Sequence, residues 1–418
     1  MSSNERSKLL KDKDKDKEKY KLRIIYSEDI NNDNKTSQNF ILEWIIVKIN
    51  DNITLISLLL ILIFVTLIYL LLVSIKEKKD MEYEHENSLR EEYLKHYNDD
   101  HTIKKTYKQL NITNLYNMTK ICTENKQFAI LKRTSCEACG LFSYYIVHLG
   151  CIITYLNEGY IPIIDVSSFQ NIFNGYNETE NKNVNQWEYF FNQPCGYTLN
   201  YVKNNISKDN IKYFECECND NMPSEKEVYS NKTRLKFFRD MAKSYMSVKE
   251  DILNEVNDLW EKLFNNSKNV LGLLVRGTDY ISIRPYEHAI PPSVDMAIND
   301  TIKWDKENKY DYIFLATEDN NIREEFIKKF GKKLKYLLPE KEIEYNYDEA
   351  AYLSFYDEVF GNMKFQKTYL LSMLLLSKCL DIITSRTSGA AGAYIFSEGF
   401  RKDLVYYIGE YNYENEDE

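Results

Sequence analysis

The chain has 418 residues, 44% of them apolar and 14% aromatic, enough for one large domain or for two domains with cores of their own. Lys and Arg number 54 against 64 Asp and Glu, a formal net charge of -10. That balance, with no basic patch in the second half, argues against a nucleic-acid surface as the protein's main business, and the apolar content excludes a chain that is disordered throughout.

In chain order, residues 1–52 read as a charged tail whose KDKDKDKEKYK run (11–21) stays solvated. Residues 53–75 carry no charge over 23 positions, the length of a helix that crosses a bilayer core. A cleaved signal sequence fits poorly, because 52 residues precede the run and it exceeds an h-region of roughly 7–15. Residues 76–120 read as a charged stem. Orientation pulls two ways: Lys76, Lys78 and Lys79 against Lys48 favour a cytosolic body. The sequons at Asn111, Asn117, Asn177, Asn205, Asn231, Asn265 and Asn299 are glycan acceptors only in a secretory lumen. All eight cysteines also follow the span, which permits disulfides. The weight falls on a type II anchor, with a short cytosolic tail and a body in the lumen of the Golgi or ER. Cys136 and Cys139 form a lone CxxC and Cys216 with Cys218 a CxC; with no second pair at finger spacing and no histidine nearby, no metal site is expected.

The body alternates short apolar runs with longer amphipathic ones, the pattern of α/β layers. A buried strand is expected over 128–131, then a turn, then a buried helix over 141–157 closed by Gly159, then a strand over 160–166 that includes Asp165. This β-α-β unit belongs to a parallel sheet. His148 reads as a satisfied core histidine. Residues 167–232 read as irregular and surface-rich, and 233–264 as one long helix or two in tandem. The second half opens with a strand that runs through VLGLLV into RGTDY. A strand over 312–316 leads to Thr317, Glu318 and Asp319 with a helix behind it. A buried helix over 364–378 precedes a strand over 380–383 and the stretch TSRTSGAAGAYIF.

Each of these last strands ends on polar residues, and in open parallel sheets ligands bind beyond the carboxyl ends of the strands. Arg276 there suits phosphate or carboxylate, with Gly277 allowing close backbone approach; equally, Arg276 and Asp279 form a structural ion pair. Thr384, Ser385, Thr387 and Ser388, with Gly389 behind them, stand where a helix should start and expose N–H groups fit for phosphate. Close helix packing by small residues is the alternative reading of the glycines and alanines. Glu318 and Asp319 suit ribose or base contacts, or Asp319 caps the following helix. No DxD occurs outside the N-terminal tail, so a metal-bridged diphosphate is not indicated.

Taken together, LLVRGTDY, YIFLATEDNN and DIITSRTSGAAGAYIF, with the closing DLVYYIGEYNYE, resemble the nucleotide-binding half of the fucosyltransferase superfamily that makes α1,2, α1,6 and protein O-linked fucose. The N-terminal GLFSYYIVHLGCIITYLNEGYIPIIDV is similar to that of fucosyltransferase-like proteins, so the resemblance spans most of 128–412. It implies a GT-B fold of two Rossmann-like domains, 121–265 on the acceptor side and 266–418 for the nucleotide sugar, with inversion at the anomeric centre and no metal cofactor. It implies that Arg276 neutralises the β-phosphate and that Asp279 is the motif's acid. Thr317, Glu318, Asp319, Ser385, Arg386, Thr387, Ser388 and Gly389 hold the donor. Two departures stand out: Leu274 replaces the motif's leading histidine, and Gly277 its second arginine. Where some members place a glutamate base this chain has Arg284, leaving Asp279, Glu287 and His288 as candidates for that role. The expected protein is a membrane-anchored inverting glycosyltransferase using GDP-fucose and a glycan or protein acceptor. Another sugar nucleotide, or a silent glycan-binding relative, are the alternatives.

Overall fold

The computed structural model describes residues 60–78, 81, 118–124, 127–133, 139–167, 185–277, 281, 284, 288–338 and 363–412. The chain divides into two compact units at residues 79 and 80. In the first, Leu60–Lys78 is a helix of 19 residues with a mean hydropathy of 2.3, long and apolar enough to cross a membrane. Its apolar side chains are exposed along its length. The expected span began at residue 53; positions 53–59 lie outside the described residues, as do most of the expected tail and stem.

The second unit is α/β with two parallel sheets. Its first part runs α1 (Met118–Glu124), β1 (Phe128–Lys132), α2 (Leu141–Asn157), β2 (Ile161–Ile164), α3 (Trp187–Phe190), α4 (Leu199–Asn205), β3 (Ile211–Glu215), α5 (Glu225–Ser230), α6 (Lys232–Tyr245) and α7 (Glu250–Phe264). The remainder runs β4 (Val270–Leu274), α8 (Val294–Asn308), β5 (Tyr312–Ala316), α9 (Asn320–Phe330), β6 (Leu334–Lys335), α10 (Met363–Ser377), β7 (Asp381–Ser385), α11 (Ser388–Phe396) and β8 (Asp403–Tyr406). Strand order is β2-β1-β3 in one sheet and β6-β5-β4-β7-β8 in the other, all pairs parallel. In both sheets the chain leaves the central strand to one side and later returns to the other. The switch points therefore lie between β1 and β3 and between β4 and β7, where ligands settle at the carboxyl edge.

Alternation along the strands builds three apolar layers. Ala129 and Leu131 of β1, with Val270 and Leu274 of β4, enter one cluster shared by both sheets. Phe128 and Ile130 face a small layer under α4, and Leu271, Leu273 and Val275 face the layer under α8 and α9. The shared cluster is filled by α2, α6, α7, α10 and α11. Within it α11 packs on α2, and Gly392 lies so close to the Phe142 ring that an added Cβ would overlap it.

Between described residues, two disulfides brace the first part, Cys122–Cys195 and Cys151–Cys216, the latter tying α2 to the end of β3. Cys139 is also disulfide-bonded, while Cys218 and Cys379 carry free thiols.

Helix 141–157 and strand 312–316 match their expected bounds, and Gly159 follows α2 at a φ of 87° that favours glycine. The tandem-helix alternative holds for 233–264. The chain breaks after Tyr245 because residues 247–249 pair with 190–192: Lys249 N–H donates to Phe190 O and Asn192 N–H to Ser247 O, at 2.9 and 2.8 Å. The surface-rich reading of 167–232 is corrected over its described residues. Trp187 and Phe191 are fully buried, Phe190 nearly so, and Ile211–Glu215 is an edge strand. That strand reads IKYFE and buries neither face fully, so it lacks the apolar run that betrays a central strand. Helix α8, capped by the Ser293 hydroxyl on Met296 N–H, was not anticipated.

Candidate active site

The two carboxyl edges meet around a cavity of about 690 Å³. From the first part it is lined by Arg133 beyond β1, by Ser143, Ile146 and Val147 of α2, by Cys218 beyond β3, and by residues 222–226. From the second part come Arg386, Ser388, Ala391, Tyr407 and Glu410. It thus joins both switch points, as the topology demands of a ligand site.

The β7–α11 turn sorts its hydroxyls into distinct jobs. Thr384 is buried and donates to Ser385 O at 3.0 Å. Thr387 caps α11, its Oγ1 accepting from Ala390 N–H at 3.1 Å, while its carbonyl accepts from Tyr229 O–H at 3.0 Å. Burial drives the Tyr229 phenol well above its ordinary pKa, so it stays a donor. Ser385 is 2% exposed, and its hydroxyl has no hydrogen-bond partner. Ser388 lines the cavity. The cap leaves the N–H groups of Ser388 and Gly389 without an intrahelical acceptor, the arrangement that receives phosphate at a helix start. Close packing by small residues holds as well: a Cβ at Gly389 would overlap the Tyr369 hydroxyl.

Arg386 follows β7 and forms ion pairs with Glu225 of α5 and with Glu410. Glu225 stands in the first turn of α5 because a capping box fixes that start. Glu227 N–H donates to Ser224 Oγ at 3.3 Å, and Ser224 N–H to Glu227 Oε2 at 3.2 Å. Burial raises the Glu225 carboxyl above its usual range, against the lowering effect of Arg386; Glu410 raises it further and His288 lowers it.

Arg133 is 5% exposed. Its Nη1 donates to Ser143 Oγ at 3.2 Å and its Nη2 to the Cys139 sulfur at 3.5 Å, with the guanidinium 5.0 Å from the Tyr144 ring centroid. Burial lowers its pKa.

The other expected site residues gather at the β4–β5 edge instead. Register pairs Leu274 with Ala316, and two residues on, Arg276 Nε meets Glu318 Oε1 at 3.1 Å, while Gly277 N–H donates to the same oxygen at 3.1 Å. Asp319 is fully buried and caps α9, its Oδ1 accepting from Asn321 and Ile322 N–H at 2.8 and 3.3 Å. Thr317 Oγ1 accepts from Asp319 N–H at 3.2 Å. Gly277 does give close approach, but to the Asp319 carboxylate: a Cβ there would overlap it. Arg276 does not line the cavity. Leu274 also pairs with Thr384, so Arg276 and Arg386 each stand two residues past paired positions on adjacent strands, and Arg276 has turned to the opposite neighbour. Asp279 and Glu287 lie outside the described residues; His288 is exposed.

Sequence reasoning missed Arg133, Glu225 and Glu410. Reading polar residues at strand ends, which singled out Arg276, would have found Arg133 after FAILK, and the SEKE capping box marks the start that presents Glu225. His148 is buried as expected but only half satisfied. Its Nδ1 lies 2.7 Å from Tyr144 O, while Nε2 has no partner, and burial lowers its pKa to about 4.

No family model and no curated protein matches the chain. Among solved structures it is similar to the NodZ α-1,6-fucosyltransferase soaked with GDP-fucose, at 14% identity and a TM-score of 0.38, over 65% of this chain and 93% of that one. It is similar to NodZ from Bradyrhizobium at 14% identity and a TM-score of 0.37, over 64% and 92%. It is also similar to POFUT1 in complex with GDP, at 8% identity and a TM-score of 0.41, over 68% and 98%.

Proposed function

We propose that the protein is a membrane-anchored, inverting glycosyltransferase that takes fucose from GDP-fucose and places it on a hydroxyl of a glycan or protein. The observation that carries this reading is the cavity where two parallel sheets present their switch points to each other, with a hydroxyl-lined helix start on one wall and cations on both. The motif resemblance over 270–412 names the donor.

Sugar transfer builds negative charge on the departing diphosphate. The Ser388 and Gly389 N–H groups, the Ser388 hydroxyl and Arg386 stabilise that charge as it develops, without any metal. The acceptor hydroxyl attacks from the opposite face and gives its proton to a carboxylate. Among the described acids, Glu225 fits that role: it lines the cavity from the first part, and burial has raised its proton affinity. Arg276 and Glu318 hold the neighbouring strand end in register.

The body belongs in an oxidising lumen on this reading. Two disulfides and four sequon asparagines support it: Asn205, Asn231, Asn265 and Asn299 are all exposed. Endoglycosidase treatment of protein made in a eukaryotic host should speed its migration on a gel.

The deciding experiment is a donor screen on the full chain in detergent. GDP should bind more tightly than UDP or CMP, and GDP-fucose should be turned over. Tighter binding of UDP would remove fucose from the reading; GDP binding with neither transfer nor hydrolysis would make the protein a silent binder.

A further inference from the structure

The first sheet ends on a buried charge, Arg133. Arg133 is more than nine-tenths buried, yet its Nε–H has no acceptor, and among the described residues no carboxylate closes an ion pair with it. Glu217, exposed beyond β3, acts on it through space, as do Tyr144 and Cys218. The other arginine of the cavity, Arg386, is held by two acids. A buried charge without a counter-ion is strongly destabilising, and a fold keeps one where something else supplies the opposite charge. Arg133 lines the cavity, and Ser143 and Cys139 fix the orientation of its guanidinium, leaving the buried Nε–H as its unused donor.

We propose that Arg133 is an oxyanion-binding residue, which grips a phosphate or carboxylate group on whatever molecule enters the cavity from the first-sheet side. The inference rests on the transferase reading for what carries that group: the leaving diphosphate of the donor, or an acidic group on the acceptor. The shared chemistry is a two-oxygen anion facing a pre-oriented guanidinium.

The test compares the full chain in detergent with Arg133→Met and Arg133→Lys, titrated with inorganic pyrophosphate, with glucuronate and with GDP. We expect Arg133→Met to lose at least tenfold in affinity for pyrophosphate or for glucuronate, and Arg133→Lys to recover part of it. Loss toward pyrophosphate assigns the donor; loss toward glucuronate assigns the acceptor. In anion-free buffer Arg133→Met should melt at or above the wild-type temperature, because it removes an uncompensated charge. A variant that fails to fold overturns the inference, since the charge would then hold structure. Unchanged affinity for both anions overturns it too, as does a wild type that binds neither. GDP keeps the two ideas apart. If the wild type and Arg133→Met bind GDP and both anions alike, the inference fails and the transferase reading stands; an anion held through Arg133 without GDP binding does the reverse.

Discussion

Among the described residues, the carboxyl edge of the first sheet carries a buried arginine, Arg133, in no ion pair, whereas that of the second carries two arginines that the protein neutralises itself, Arg276 with Glu318 and Arg386 with Glu225 and Glu410. An anion arriving at the second edge must share Arg386 with two carboxylates; at the first edge no described carboxylate is paired with Arg133, and Glu217 acts on it only through space. Ion pairing as at the second edge neutralises a charge within the protein, whereas a desolvated cation without a paired acid is left for a ligand to neutralise. On the readings proposed above both edges hold anions, the first through Arg133 and the second through the α11 start with an Arg386 already shared with two acids.

The largest effect should come from Arg386→Ala, which removes the cation beside the α11 start and should lower transfer by about 10²–10³-fold, the usual loss when one donor to developing charge is deleted. Steady-state transfer of fucose from GDP-fucose measures it; a loss under tenfold would move the reaction away from this wall.

His148 sharpens the contrast through pH. Its imidazole stays neutral in the fold to about pH 4, while the unfolded chain takes up a proton near 6.5. Stability is therefore full above pH 6.5 and falls as pH drops from 6.5 to 4, by about 3 kcal/mol. Denaturant melts across that window should show the slope, and His148→Phe should flatten it. Arg133 adds to the lowering by repulsion, so an anion bound to it should raise the folded pKa and make the loss of stability between pH 6.5 and 4 smaller.

Gly392→Ala tests the contact joining the two parts. Its Cβ would overlap the Phe142 ring, so thermal melting should show a loss of about 1–3 kcal/mol with GDP affinity retained. The smallest effect belongs to Glu318→Gln. This pair is partly exposed, so breaking it should cost about 1 kcal/mol or less and leave GDP affinity within about twofold. A tenfold fall in affinity would return the Arg276 network to the donor site.

Much of the fold was legible in the sequence where one residue pattern had one physical outcome. The run 141–157 is apolar on every side and has to be buried, and VLGLL and YIFLA are too apolar for an edge. The half-exposed edge strand IKYFE and the two-residue β6 carry no such pattern. The site was legible in part. Strand-end polarity pointed to Arg276 and to the 384–389 turn, but which way a guanidinium swings depends on the neighbour that holds the acid, and Glu318 lies a full strand and helix further along the chain. Glu225 and Glu410 reach Arg386 from sequence distances that no local motif spans.

Gly392 resting on the Phe142 ring also limits how the two parts can move. With apolar side chains from both sheets fused across that seam, the halves cannot swing like jaws without tearing the core open. On the transferase reading proposed above, entry of reactants and escape of products would fall to small movements of rim segments and side chains instead.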